Sequence, residues 1–237
     1  MMRLLLLSNS TNAGEAYLDY PKNQIKSFLG NKSINALFIP YAAVSFSFDE
    51  YEFKVKERFL EIGNDLVSIH KFNSITEALK WMEVIVVGGG NTFQLLKFLQ
   101  LHNLIEVIKE KVQGGIPYIG WSAGANVACP TICTTNDMPI VEPIGFKSFG
   151  FVPFQINPHY TEVVVSSFAG ETRDQRITEF LEVNPGKVVV GLKEGTMLKY
   201  EYGKLTLVGN KTAKIFVYHQ KPYEVEEGMD LNFLLRS

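Results

Sequence analysis

The chain has 237 residues, a length that fits one α/β domain, and 46% of them are hydrophobic and 20% charged, as in a compact protein with a substantial core. Its formal net charge of −2 gives no electrostatic reason to expect a nucleic acid or an anionic membrane as a partner. We therefore expect a single domain over 1–237 with neither of these partners.

The N-terminal apolar run Leu4–Leu7 is too short for the core of a signal peptide or for a membrane span. Ser8 ends the run at once, as it would after a buried parallel strand. No other stretch of the sequence approaches twenty apolar residues. The pattern predicts a soluble, cytoplasmic protein.

Short, fully apolar runs alternate with longer helical patterns through the first half of the chain. Fully apolar runs are typical of parallel strands covered on both faces, and their alternation with helices indicates a layered α/β domain with a mostly parallel sheet. The predicted strands are Leu4–Leu7, 36–40, 66–70, Val84–Val87 and 116–121. The predicted helices are 49–62, 76–82, 92–99 and 104–112.

The second half adds further strands at 151–157 and 187–192, with a helix near 171–181 between them. Three closely spaced apolar runs then follow Gly195, joined by the turn signals Gly203-Lys204 and Gly209-Asn210. They predict an antiparallel meander that extends one edge of the sheet, with strands at 197–202, 205–208 and 215–218.

The two cysteines, Cys129 and Cys133, lie four residues apart. A disulfide framework normally needs more pairs in a shorter chain, and the pair has no companion ligands at zinc-site spacing. We expect reduced, semi-buried thiols and no metal site.

The strongest local signal is the turn from Gly120 through Ser122 to Gly124, where an apolar strand runs into a sequence of small residues. A nucleophile at a strained strand-to-helix turn requires small neighbours, and the helix start after it offers N–H groups to a developing oxyanion. Ser122 is therefore the candidate nucleophile, with the N–H of Ala123 as an oxyanion donor. The alternative is a tight turn with a capping serine.

A second glycine turn, Gly88-Gly89-Gly90, also ends a strand and opens a helix. Glycines permit positive φ and close approach to a ligand. The lysine of a P-loop and the dinucleotide-binding glycine pattern are both missing, which disfavours phosphate binding. We expect one N–H of this turn, at Gly89 or Gly90, to be the second oxyanion donor; a plain tight turn stays open.

Ser122 requires a general base, and His159 is the best placed of the four histidines. It follows the apolar run 151–157, and in open α/β sheets sites gather at the carboxyl ends of strands. The remaining histidines are expected at the surface or at a strand edge: His70, His102 and His219.

The base requires an orienting carboxylate. Glu194 follows the strand predicted at 187–192, again at a strand end. Asp137 is the rival, although Asn136-Asp137 before Met138-Pro139 is also an ordinary turn former. The sheet-end argument favours Glu194, and Asp137 stays as the alternative.

Together these segments resemble peptidase E, the aspartyl dipeptidase family of serine peptidases. The matching segments run in chain order: LLLLSNST (4–11), VGGGNTFQLL (87–96), YIGWSAGAN (118–126), TTNDMPIV (134–141), QINPH (155–159) and GETR (170–173). The resemblance implies a fold similar to the class I glutamine amidotransferases, which is flavodoxin-like, with serine where those enzymes carry cysteine. It also implies hydrolysis of Asp-X dipeptides without metal or organic cofactor.

Carried over by position, the resemblance makes Ser122 the nucleophile and His159 its base. The third member of the family's triad has been placed at the equivalents of both Glu194 and Asp137, so the choice stays open. A substrate with an N-terminal aspartate presents a carboxylate that suits a planar arginine donor. We predict Arg173 for this role, with Arg176 second.

Other assignments stay open. Asp19 is a candidate partner for the substrate amine, and surface pairing with Glu171 or Asp174 is the alternative for the two arginines. The rival functions are a cyanophycinase-like hydrolase of β-aspartyl-arginine units, an ester hydrolase of the α/β-hydrolase fold, and a non-catalytic binding module. The chain is expected to be a monomer or a homodimer.

Overall fold

The structure is a computed structural model that describes residues 1–163 and 170–236. Its strands are β1 (Leu4–Leu7), β2 (Asn35–Ile39), β3 (Asp65–Ser68), β4 (Val84–Val87), β5 (Tyr118–Trp121), β6 (Gln155–Tyr160), β7 (Val188–Lys193), β8 (Met197–Glu201), β9 (Lys204–Val208), β10 (Ala213–Val217) and β11 (Tyr223–Val225). Its helices are α1 (Lys22–Leu29), α2 (Phe48–Glu61), α3 (Ile75–Trp81), α4 (Thr92–Leu101), α5 (Leu104–Gln113), α6 (Ala123–Asn126) and α7 (Arg173–Val183), with 3₁₀ turns at Ile69–Lys71 and Asn232–Arg236.

The larger sheet has seven strands among the described residues, in the order β3-β2-β4-β5-β1-β8-β9. The first five are parallel, and β8 and β9 are antiparallel additions beside β1. The leucines of β1 are all buried: Leu4 and Leu6 pack into one core cluster, and Leu5 and Leu7 into another. Helices therefore cover both faces of the sheet, and the predicted layered α/β class is confirmed.

A second sheet, with four strands among the described residues, has the order β11-β10-β7-β6. Strands β6 and β7 are parallel, and β10 is antiparallel to β7. The predicted meander is therefore correct for its first two strands, which extend the larger sheet, and wrong for the third. The third predicted strand, β10, belongs to the second sheet. There Ile215 is buried in the same core cluster as Leu4 and Leu6, and Phe216 packs on Ile177 of α7.

Strand β6 begins four residues later than predicted and extends to Tyr160. Phe151 and Phe154 in the predicted strand are buried but irregular in backbone, and Phe151 stacks on Phe149 in the core. Burial and not strand pairing explains the apolar run there. As a result His159 lies inside β6 and not after it.

No helix among the described residues is both long and apolar enough to span a bilayer. Helix α1 was not predicted, since only Ile25 and Phe28 of its eight residues are buried and the apolar signal is short.

Candidate active site

Ser122 lies at the sharp turn between β5 and α6. It has φ 53° and ψ −112°, which a non-glycine residue adopts only where the surrounding structure holds it. Its N–H donates to the carbonyl of Leu7 at 3.0 Å. Gly124 lets α6 approach β4, because a Cβ at this position would lie 2.2 Å from the carbonyl oxygen of Val87. The small residues after Ser122 thus have the steric role that the sequence indicated.

His159 reaches the same region from the edge of the second sheet. Pro158 is tolerated in β6 because β6 is an edge strand, and the pairing of β6 with β7 shifts register between Asn157 and Tyr160. His159 adopts φ 53° at this irregularity, and its N–H donates to Ser8 Oγ at 2.9 Å. Because of this irregularity, the His159 side chain does not follow the alternating directions of a regular strand, and its imidazole points to Ser122.

Ser122, His159 and Glu194 form a continuous hydrogen-bonded chain. His159 Nε2 lies 2.9 Å from Ser122 Oγ, and His159 Nδ1 lies 2.6 Å from Glu194 Oε1. Glu194 directly follows β7, the neighbour of β6. The carboxyl ends of two parallel strands thus bring the base and its acid together, as the sheet-end argument expected.

Asp137, the alternative acid, makes different contacts. Its Oδ2 accepts hydrogen bonds from the N–H of Thr92 at 2.7 Å and from the Thr92 hydroxyl at 2.5 Å, and Thr135 Oγ1 lies at 3.1 Å. Thr92 is the first residue of α4, where a carboxylate is favourable for the helix dipole. The structure therefore brings Glu194, and not Asp137, to the imidazole.

Three backbone N–H groups near Ser122 are available to a ligand. Within residues 1–163 and 170–236, those of Gly89, Gly90 and Ala123 donate no hydrogen bond. Gly89 is close to the nucleophile, since a Cβ on it would lie 3.0 Å from Ser122 Cβ. Free N–H groups grouped beside a hydroxyl are the donors that an oxyanion requires.

Tyr17, Tyr51 and Trp121 form a hydrogen-bonded network that is joined to this glycine turn. Tyr51 Oη donates to the carbonyl of Gly89 at 2.9 Å, and Trp121 Nε1 donates to both Tyr51 Oη and Tyr17 Oη at 3.1 and 3.0 Å. Burial raises the pKa of Tyr17 to about 12 and holds the pKa of Tyr51 well above its usual value, so both hydroxyls stay protonated at neutral pH. Because a peptide unit is planar, the bond to Gly89 also fixes the direction of the Gly90 N–H.

A cavity of about 580 Å³ opens over the nucleophile. Ser122, His159, Asp137, Gly89 and Gly90 line it. Its other walls come from the N-terminal loop, β5, α2 and the loop before α2: Ser10, Tyr17, Phe46, Glu50, Tyr51, Lys54 and Trp121. The cavity places the three predicted parts of the site, nucleophile, base and glycine turn, around one space.

Arg173 is the first residue of α7 and is partly buried, and it is not among the residues that line this cavity. Its Nη1 donates to Asn136 Oδ1 at 2.5 Å, and Asn136 Nδ2 donates to the carbonyl of Pro158 at 2.6 Å. Desolvation, followed by the charge of Arg176, lowers the pKa of the Arg173 guanidinium, and the Asp137 carboxylate opposes the shift. Arg173 has no carboxylate within ion-pair distance in the described part of the chain.

The other predicted substrate contacts lie elsewhere. Arg176 is exposed and pairs with Glu171 at 3.7 Å, which is the surface alternative. Asp19 is outside the cavity lining, and its carboxylate pairs with Lys22 at 2.7 Å and lies 3.6 Å from Arg58. Asp137 and Glu50, and not Asp19, are the carboxylates that line the cavity over the nucleophile.

Of the two thiols, Cys129 is fully buried and Cys133 is exposed, and both are free. Burial raises the pKa of the Cys129 thiol, which makes it unreactive. The predicted reduced state agrees with this arrangement, but only one of the two is buried.

Among the residues that the structure describes, one group of side chains has metal-ligand spacing: Asp49, Glu52 and His70 offer ligand atoms within 4.8 Å of one another. The Lys71 ammonium contacts Asp49 and lies 3.9 Å from Glu52, so a cation is already supplied by the protein. None of these residues lines the cavity at Ser122.

Sequence reasoning missed four residues that shape the site: Ser8, Tyr51, Lys54 and Asn136. Ser8 ended an apolar run and Asn136 lay beside a candidate, so both carried a positional signal. Tyr51 and Lys54 lie three residues apart on one face of α2, but the face that borders the cavity is set by how α2 docks, which the sequence pattern does not specify.

The chain was compared with known proteins. The model of Peptidase family S51 matches residues 4–208. A protein named Peptidase E from Nostoc sp. is 52% identical over 98% of this chain and 96% of its own length, and one from Salmonella arizonae is 45% identical over 96% and 99%.

Two solved structures are similar in fold. A putative peptidase E protein from Listeria monocytogenes superposes with a TM-score of 0.67 at 21% identity, covering 89% of this chain and all of its own. A peptidase from an acI-B1 actinobacterium superposes with a TM-score of 0.71 at 19% identity, covering 98% of this chain and 96% of its own. At these identities the likeness concerns the fold.

Proposed function

The chain belongs to peptidase family S51, and on this premise we propose that it is a serine dipeptidase that hydrolyses dipeptides with an N-terminal aspartate. The observation that carries the proposal is the contact chain from Ser122 Oγ through the His159 imidazole to Glu194, at 2.9 and 2.6 Å. This arrangement of nucleophile, base and orienting acid is that of acyl transfer through a covalent intermediate.

In the first half of the reaction, His159 Nε2 takes the proton of the Ser122 hydroxyl while Oγ attacks the aspartyl carbonyl carbon. Glu194 holds the imidazole by its other nitrogen and stabilises the imidazolium that forms. The oxyanion accepts hydrogen bonds from the N–H of Ala123 and from the turn at Gly89 and Gly90. One such donor typically contributes about 3–4 kcal/mol to the transition state.

In the second half, the C–N bond breaks as His159 returns the proton to the leaving amine, and the aspartyl group stays on Ser122 as an ester. A water molecule then gives a proton to His159 and attacks the ester carbonyl. The second tetrahedral intermediate releases aspartate and restores the Ser122 hydroxyl.

Recognition of the aspartate follows from charge. Arg173 presents a guanidinium that has no acidic partner in the described part of the chain, and Asn136 holds it beside the strand that carries His159. A guanidinium can bind the aspartate side-chain carboxylate through two parallel hydrogen bonds. Asp137 and Glu50 both line the cavity, and we assign the substrate ammonium to Asp137 because it directly follows Asn136, which holds Arg173.

The relatives named Peptidase E support a peptidase, and the preference for N-terminal aspartate is the finer part of the proposal. The test is to assay the purified protein with α-Asp-Leu, α-Ala-Leu and β-Asp-Arg. We expect turnover of α-Asp-Leu at least a hundredfold above that of α-Ala-Leu, and loss of all turnover in Ser122→Ala with an unchanged melting temperature.

Two of the alternative functions would give a different outcome in these assays. Faster hydrolysis of β-Asp-Arg than of α-Asp-Leu would indicate a cyanophycinase-like hydrolase. Absence of turnover together with failure of a fluorophosphonate probe to label Ser122 would indicate a binding module. Substantial turnover by Ser122→Ala would remove Ser122 from the mechanism.

A further inference from the structure

We infer that Lys54 binds the C-terminal carboxylate of the substrate and so restricts the enzyme to dipeptides. The inference rests on the proposed function, because it concerns the second anionic group of an Asp-X dipeptide. Such a dipeptide carries one ammonium and two carboxylates at neutral pH. Arg173 and Asp137 account for the side-chain carboxylate and the ammonium, and the terminal carboxylate still requires a cation.

Lys54 is the one lysine or arginine among the described residues that line the cavity over Ser122. Its Nζ lies 4.3 Å from the centre of the Tyr17 ring, and Tyr17 also lines the cavity. Tyr17 Oη accepts a hydrogen bond from Trp121 Nε1, and Trp121 directly precedes the nucleophile. A short chain of contacts therefore joins the ammonium to the reacting centre, and the ring face favours a cation at this place.

The ammonium of Lys54 has no acidic partner among the described residues, although its own helix offers one. Glu50 lies four residues earlier on α2, the spacing at which a glutamate and a lysine normally pair. The Glu50 carboxylate instead accepts hydrogen bonds from the N–H of Ser47 at 2.7 Å and from its hydroxyl at 2.8 Å, closing the N-terminal capping box of α2.

These bonds to Ser47 hold the pKa of the Glu50 carboxyl below its usual value, so it stays ionised at the cap. The other lysine of α2, Lys56, has a local partner, since it pairs with Asp65 at 2.9 Å. Lys54 is therefore a cation at the cavity whose charge is left for a ligand.

The two cations lie on different elements, Arg173 on α7 and Lys54 on α2. Arg173 is tied through Asn136 to the strand of His159, and Lys54 is tied through Tyr17 to the strand of Ser122. A substrate held at both ends has a limited length. One additional residue would move the terminal carboxylate by about 3.5 Å, beyond a contact made by the dipeptide.

The test compares substrates that differ only in the terminal carboxylate: α-Asp-Leu, its C-terminal amide, and the tripeptide Asp-Leu-Gly, with Asp-p-nitroanilide as a substrate that has no such group. In the wild type we expect kcat/KM to be about tenfold higher for the dipeptide than for its amide, as a charge-assisted contact would give. Lys54→Met should remove this preference and the preference over the tripeptide, while turnover of the anilide stays unchanged.

Lys54→Arg should retain most of the preference, since it keeps the charge. Lys56→Met is the matched control, because it removes the same charge from the same helix, and it should retain the wild-type ratio. Equal losses on the dipeptide, the amide and the anilide in Lys54→Met, or an unchanged ratio, would overturn the assignment of Lys54. A wild type that cleaves no N-terminal aspartyl substrate would instead overturn the proposed function, and the assignment with it.

Discussion

At the residue scale, the candidate catalytic pair is held in unusual backbone conformations. Ser122 and His159 both have φ 53°, a conformation that costs a non-glycine residue about 1–3 kcal/mol. Each is held by an N–H bond to the end of β1: Ser122 donates to Leu7 and His159 donates to Ser8. Both side chains line the cavity, and the last residue of β1 and the residue that follows it hold the two backbones in place.

The choice between Glu194 and Asp137 can be tested by amide substitutions. Glu194→Gln should lower kcat about a hundredfold or more with little change in KM, because the amide disturbs the orientation and charge of His159. Asp137→Asn should act mainly on KM, since Asp137 faces the cavity and caps α4 without touching the imidazole. Steady-state kinetics on α-Asp-Leu gives both values, and the reverse pattern would make Asp137 the orienting acid.

Arg173 and Arg176 form a natural pair for testing carboxylate recognition. Arg173→Ala should lower kcat/KM for Asp-X substrates about tenfold to a hundredfold, because a charge-assisted contact is lost. Arg176→Ala removes an equal charge from the same helix, but Arg176 is exposed and paired with Glu171, so its kinetics should stay near wild type. Equal effects of the two substitutions would indicate a general electrostatic influence and place the carboxylate elsewhere.

At the element scale, the sequence predicted β1, β4 and β5 well because each is buried along its whole length and lies in an unbroken apolar run. It predicted β3 less well, since the strand expected at 66–70 ends at Ser68 and is followed by a 3₁₀ turn at Ile69–Lys71. The sequence prediction failed in the segment before β6, where apolar residues are buried without pairing as a strand. It also failed at β10, which pairs in the four-stranded sheet and not beside β9. Ser122, His159 and Glu194 were predictable because strand ends converge. Tyr51 and Lys54 were not, because the docking of α2 selects its cavity-facing side.

The close approach of α6 to β4 makes a prediction about the nucleophile turn. Gly124→Ala would place a Cβ 2.2 Å from the carbonyl oxygen of Val87, so α6 must move. We expect a loss of about 1–3 kcal/mol in the free energy of unfolding, measured by urea denaturation. The kcat should also fall, since α6 begins directly after Ser122.

The matched control is Gly186→Ala in the turn after α7, where an added Cβ meets nothing within 4 Å. It should change the free energy of unfolding by less than about 1 kcal/mol and leave the kinetics unchanged. Wild-type kinetics in Gly124→Ala would show that the packing of α6 on β4 does not position the nucleophile.

At the scale of the whole molecule, the candidate site is divided between two sheets. Ser122 follows β5 of the seven-stranded sheet, whereas His159 and Glu194 belong to β6 and to the end of β7 in the four-stranded sheet. The geometry of the site therefore depends on how the two sheets are held together. Ser8 is one direct link, because its hydroxyl donates to the carbonyl of Leu192 at 2.6 Å and accepts from the His159 N–H.

Ser8→Ala should therefore weaken both stability and activity. It leaves the His159 N–H and the Leu192 carbonyl without their partner, which should lower the free energy of unfolding by about 1–3 kcal/mol. Loosening β6 should also lower kcat about tenfold, since small displacements of a base are costly. Ser74→Ala, which removes the cap of α3, should cost about 1 kcal/mol without changing kcat. Equal kinetics in the two variants, measured beside urea denaturation, would contradict a positioning role for Ser8.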